Sequence, residues 1–255
     1  MRAQPAGDFD YEREGAGYTR WRRPDPRIAK RVHAALGPAR TVLNVGAGAG
    51  SYEPRDLYVA AVEPSASMRS LRPAELAPAI DGTAENLPFD DDSFDAAMAS
   101  ITVHQWADPW LGLAELRRVS RGPVVLLTFD GDELHRLWLD EYLPELFEAE
   151  RRRYPAIEDL RSALGGHSEV QEVPIPIDCV DGFTEAFYAR PELFLDPDLR
   201  RAQSVWGFIP EEIAQRGLER LREDIETGRW DERHGELRTQ PEFIGALRLV
   251  VGRPS

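Results

Sequence analysis

The 255-residue chain has a single cysteine, Cys179, which excludes an internal disulfide and a cysteine-rich zinc site. No apolar run approaches membrane-spanning length. The opening stretch "MRAQPAGDFD" has no apolar signal core. Basic residues are outnumbered: 31 Lys and Arg face 45 Asp and Glu, for a net charge of −14. A duplex-binding surface needs a basic footprint, so no nucleic-acid partner is expected. Internal repeats and low-complexity tracts are missing as well. What remains is a cytoplasmic protein with no membrane partner. Its length fits one large domain, or a core with an appended lid.

Strand and helix signals are plentiful. "PRIAKRVHAAL" places Ile28, Val32, Ala35 and Leu36 on one helical face, with Pro26 in the first turn. Five strand candidates follow, at 41–47, 57–63, 77–81, 94–101 and 122–129. Their near-continuous apolar runs predict a parallel sheet covered on both faces. "PWLGLAELRRV" (109–119) is an amphipathic helix facing inward through Leu113, Leu116 and Val119. A sixth strand is expected at 168–177, near an edge because of Pro174 and Pro176, and a final one at 246–252. The chain thus divides into an arm (1–26), a core (27–130), a helical lid insertion (131–167) and the end of the sheet (168–255) with a second helical insertion (183–240), all one compact unit. The fold class is α/β, a doubly wound, mostly parallel seven-stranded sheet with helical insertions before and after the sixth strand.

The stretch "TVLNVGAGAGSYEPRDLYVAAVEPS" carries the chemistry. A glycine-rich turn after a first strand admits a ligand close to the backbone, and an acid ending the second strand accepts from ribose hydroxyls. Gly46, Gly48, Gly50 and Glu63 supply both parts. The spacing is G-x-G-x-G rather than the G-x-G-x-x-G of dinucleotide sites, and only "SYEPRD" separates Gly50 from Leu57. Pro54 opposes a helix there, so a pyrophosphate would lack a helix N-terminus. A cofactor with one ribose and no phosphate fits better.

The chain resembles class I S-adenosylmethionine-dependent methyltransferases, in particular the small-molecule group of ubiquinone and menaquinone type. "VLNVGAGAG", "VAAVEPSASM", "GTAENLPFDDDSFDAAMAS" and "AELRRVSRGPVVLLTF" match the family's motifs in order, from about residue 40 to 130. The resemblance implies a Rossmann-like methyltransferase fold, with S-adenosyl-L-methionine as cofactor and S-adenosyl-L-homocysteine as product. It also implies that Gly46, Ala47 and Gly48 line the methionine and ribose portions and that Glu63 holds the ribose hydroxyls. Pro64 and Met68 would flank the adenine, Ala84 and Glu85 meet its edge, and Ser100 lie near the sulfonium. Asn44 departs from the family's usual acid, yet its oxygen can still orient the cofactor's ammonium. "GYTRWRRPDP" resembles the family's stretch before the core; Tyr18 would cover the cofactor, and Arg23 or Arg22 would pair with its carboxylate.

Methyl transfer is an in-line displacement in which the protein orients the pair and deprotonates an O, N or C acceptor. "ITVHQW" follows the fourth strand candidate, at the edge where ligands bind. His104 there is either the general base or a wall residue. Trp106 is either an aromatic wall or a loop anchor. Tyr11 in the arm and Tyr188 in the second insertion, with Phe183 and Phe187 beside it, are candidates to line a small-molecule acceptor pocket. Asp90, Asp91 and Asp92 read as a solvated turn, not a metal site. The expected assembly is a monomer or homodimer. Two other readings stay open: a non-catalytic cofactor-binding or partner subunit, and a nicotinamide-dependent reductase.

Overall fold

The computed structural model describes residues 21–254. Helix α1, Pro26–Ala35, starts where the Asp25 side chain accepts from the Arg27 N–H, with Pro26 in the first turn. Its apolar face buries Ile28, Val32 and Ala35 against the sheet, and Leu36 follows them inward. Among the described residues eight strands are formed: β1 Thr41–Val45, β2 Tyr58–Val62, β3 Ala96–Ser100, β4 Val124–Phe129, β5 His167–Glu172, β6 Ile175–Pro176, β7 Glu242–Phe243 and β8 Leu247–Arg253.

Six of these strands make the main sheet, in the order β2-β1-β3-β4-β8-β5. The first four are parallel, whereas β8 runs antiparallel to both β4 and β5. The sheet is one strand short of the seven expected. At 77–81 only Ile80 bridges to Val62, through Ile80 N–H to Ala61 O (2.8 Å) and Glu63 N–H to Ile80 O (3.0 Å). Two residues earlier, where the next ladder donor would stand, Pro78 has no N–H to give. The expected sixth strand is also split. β5 ends at Glu172, and beyond Pro174 the chain leaves the sheet, so that β6 pairs with β7 instead.

Both faces of the sheet are covered, as a doubly wound sheet requires. One carries helix α3 (Pro109–Val119) and helix α5 (Ile157–Leu164), with Leu113, Leu116, Val119, Leu160 and Leu164 buried on Leu43, Leu126 and Val250. The other carries α1 and the apolar sides of the two insertions. The first insertion holds the 3-10 turns Gly131–Arg136 and Trp138–Glu141 and helix α4 (Pro144–Arg151). The second is mostly helical and includes α6 (Pro197–Arg201), α7 (Glu211–Glu226) and α8 (Arg229–His234). The short helix α2, Ala66–Ser70, follows β2. Cys179 lies buried beneath the second insertion, and burial pushes its thiol up to about 12. Among the described residues no helix is long and apolar enough to cross a membrane.

Candidate active site

The carboxyl ends of β1, β2 and β3 converge on the glycine turn. Residues 46–57 form turns and bends with no helix, as Pro54 and the short spacing predict. Gly46, Gly48 and Gly50 all have positive φ, at 65°, 50° and 93°. A Cβ at Gly46 would collide with the Thr102 hydroxyl, so the backbone of the β1 turn can lie directly on the loop after β3 only without a side chain there.

Something must hold this turn in place of a helix. Arg72 does so from the segment after α2. Its guanidinium pairs with Glu53 at 2.9 Å and donates to Ala77 O at 2.9 Å, with the Gly48 carbonyl at 3.4 Å. Both side chains are almost fully buried. Glu53 in turn accepts from Asn44 Nδ2 at 2.9 Å. This bond fixes the amide so that Asn44 Oδ1 is left as a buried acceptor without a partner. Sequence reasoning missed both Glu53 and Arg72; the one signal was an acid inside "SYEP", next to the glycines.

Glu63 directly follows β2 and is buried. Its carboxylate accepts from Gly48 N–H (2.8 Å) and from Ser65 N–H (2.9 Å). Burial raises its pKa, opposed by those two N–H groups and by Arg69 and Arg72. Met68 is buried and would lie 3.3 Å from a Cβ at Gly48, while the Pro64 and Glu63 carbonyls accept from Arg69. Ala47 is buried, with its N–H on Val62 O at 3.0 Å. Ala84 is buried in the apolar cluster under α3, and Glu85 accepts from Asp108 N–H at 3.1 Å. Ser100 ends β3 with its buried hydroxyl unpartnered.

These groups fit S-adenosylmethionine. A free buried amide oxygen suits an ammonium, and a carboxylate held by backbone N–H groups keeps lone pairs for two ribose hydroxyls. The Cβ-free turn admits the chain between them.

A cavity lies beyond the end of β3. Phe129, Phe147, Tyr154 and Phe183 supply its apolar wall, and His104, Arg22 and Glu185 are among its polar groups. The His104 ring lies 4.5 Å from that of Tyr154. Its Nδ1 is buried without a partner, and Gln105 Nε2 is 3.4 Å from its Nε2. Burial first, then Arg153 and Arg22, depress its pKa well below the ordinary histidine value. The ring is therefore neutral near pH 7.

Other expected residues fall elsewhere. Tyr188 does not line the cavity: its side chain is buried in the core, stacked on Phe243, with its hydroxyl on Gln240 O at 2.6 Å. Trp106 anchors its loop, packing against α3 at Gly112, where a Cβ would strike the indole. Arg22 is bound to Asp181 at 2.7 Å, and Asp181 also accepts from the buried Tyr52 hydroxyl at 2.6 Å. Arg23 is exposed. Tyr11 and Tyr18 lie outside the described residues.

The parallel sheet with a glycine turn and an acid at adjacent strand ends defines a Rossmann-like nucleoside-binding protein. Comparison with known proteins narrows the class. A methyltransferase-domain family model matches residues 43–126. A solved structure from Anabaena variabilis, described as a candidate methyltransferase from an antibiotic biosynthesis pathway, is 30% identical; the match covers 91% of this chain and 98% of that one, with a TM-score of 0.83. An uncharacterized methyltransferase of Mycobacterium tuberculosis is 40% identical over 89 residues, 32% of this chain. That match spans only 36% of the mycobacterial protein's length. A SAM-dependent methyltransferase from Thermotoga maritima shares the fold, at 19% identity and a TM-score of 0.55 over 96% of this chain and 95% of that one. The chain belongs to the class I S-adenosylmethionine-dependent methyltransferases.

Proposed function

We propose that the protein transfers a methyl group from S-adenosylmethionine to a small-molecule acceptor held in the cavity beside His104. The observation that carries this reading is the pairing of an unpartnered buried acceptor in the nucleoside site, Asn44 Oδ1, with a buried imidazole in the adjoining cavity, His104, whose Nδ1 has no partner. When bound, S-adenosylmethionine supplies an electrophilic methyl on a sulfonium. Asn44 accepts from its ammonium, Glu63 accepts from the ribose hydroxyls, and Met68 and Ala84 pack on the adenine. Pro64, Glu85 and Ser100 complete the cofactor wall. His104 would hold the acceptor's reacting group and take its proton. Arg22 or Arg23 would pair with the cofactor's carboxylate.

The Anabaena relative's assignment to an antibiotic pathway supports a small organic acceptor. The charge of −14 supports a partner that is neither nucleic acid nor a membrane surface. The helix-free crossover weighs against a nicotinamide cofactor, whose pyrophosphate would find no helix N-terminus.

Calorimetry and thermal unfolding test the reading. Ligand at a hundredfold excess over Kd adds about 2.7 kcal/mol of stability. S-adenosylhomocysteine should therefore raise Tm by about 5–10 °C, and NADH or NADPH should leave it unchanged. A shift with a nicotinamide and none with S-adenosylhomocysteine sinks the proposal.

A further inference from the structure

Glu185 has no part in the chemistry above, yet it sits fully buried in the wall of the same cavity. Its Oε1 accepts from the Ala246 N–H at 2.7 Å. Gly245 makes the approach possible, because a Cβ there would overlap that oxygen. Oε2 is buried and has no hydrogen-bond partner. Burial raises its pKa to about 7, opposed by the Ala246 and Leu247 N–H groups and by Arg248.

A merely structural side chain here would be glutamine. Its carbonyl would hold the Ala246 N–H equally well and bring no charge into the interior. A carboxyl leaves one oxygen unsatisfied in a dry place, which is costly unless something donates to it. The cavity wall shows what shape that donor has. Rings run in succession from His104 to Tyr154 (4.5 Å, tilted), then edge-on from Tyr154 to Phe129 (5.7 Å) and from Phe129 to Phe183 (5.5 Å). Phe183 stands two residues before Glu185. Such a wall suits a flat apolar body. The row joins one unpartnered buried atom, His104 Nδ1, to the neighbourhood of the other, Glu185 Oε2.

Building on the methyltransferase reading, we propose that Glu185 anchors the methyl acceptor, and that the acceptor is a ring compound whose hydroxyl or amine donates to Glu185 Oε2 while another atom of it meets His104. Glu185 thereby selects for a donor at that position and against an ether or alkyl group.

The test uses the full chain saturated with S-adenosylhomocysteine and three phenols that differ at one end: 4-(hydroxymethyl)phenol, 4-(aminomethyl)phenol and 4-(methoxymethyl)phenol. Their dissociation constants are measured by calorimetry. The wild type should bind the hydroxymethyl or the aminomethyl compound about tenfold tighter than the methoxymethyl one, and the tighter of the two tells hydroxyl from amine. Glu185→Gln keeps the Ala246 contact and should bring the three within twofold of one another, with unchanged affinity for S-adenosylhomocysteine as the check on folding. The wild-type ratio alone decides should that variant not fold. Equal binding of the three probes, a preference that survives in Glu185→Gln, or no probe binding at all overturns the inference. Any of these results with normal S-adenosylhomocysteine binding leaves the methyltransferase reading standing; loss of that binding in the wild type is what removes the latter.

Discussion

His104 and Glu185 pull the protein's stability in opposite directions with pH, because burial shifts both toward their neutral forms. His104 has a folded pKa below its unfolded value. Its share of stability is present above about pH 6.5 and is lost as pH falls, because the unfolded chain then binds the extra proton. Glu185 has a folded pKa near 7, raised from 4.5. Its share is complete below the unfolded value and is lost as pH rises through 7. The cost above that point is on the order of 3 kcal/mol. Glu185→Gln does not titrate, so its Tm relative to wild type should climb by about 6–12 °C between pH 4.5 and 7.5 and then level off. A flat difference across that range, in paired melting curves, would show that the carboxyl ionises freely in the fold.

At the scale of elements, the crossover from β1 to β2 replaces a helix by an ion pair. Arg72 and Glu53 are each almost wholly out of solvent, so solvent does not screen them and each depends on the other. Arg72→Ala strands a buried carboxylate and should cost about 3–5 kcal/mol. The double change Arg72→Met, Glu53→Gln removes both charges and should recover most of that loss. Urea unfolding of the two variants decides the matter, and an Arg72→Ala protein as stable as wild type would refute the clamp. The absence of a helix here was legible in advance, because Pro54 and the shortness of "SYEPRD" act locally. What replaces it was not legible, since nineteen positions separate Arg72 from Glu53 and only the folded chain joins them. The segment at 77–81 taught the same lesson. Its composition suited a strand, but pairing needs an N–H at every second position, and Pro78 lacks one.

For the molecule as a whole, the parts readable in sequence were those set by short-range pattern. The apolar faces of α1 and α3, the parallel strands and the Gly46–Glu63 pair all come from runs of neighbouring residues. The cavity beside His104 draws on β4, on both insertions and on the loop after β3, so no local pattern marks it. Of the expected wall residues in the second insertion, Phe183 lines the cavity together with Glu185, whereas Phe187 and Tyr188 are buried in the core. Cys179 lies beneath that second insertion, 2% exposed, with a thiol that stays protonated at neutral pH. A protonated, enclosed sulfur does not react with alkylating reagents. As the chain's sole thiol, it is a built-in clock: iodoacetamide can mark it only in those moments when the insertion lifts from the sheet. The labelling rate, followed by mass spectrometry, then reads out the opening equilibrium of the part of the molecule that walls the cavity beside His104. Ligands that fill the cavity should slow that clock in proportion to their occupancy, which makes one sulfur atom a screen for the acceptor itself.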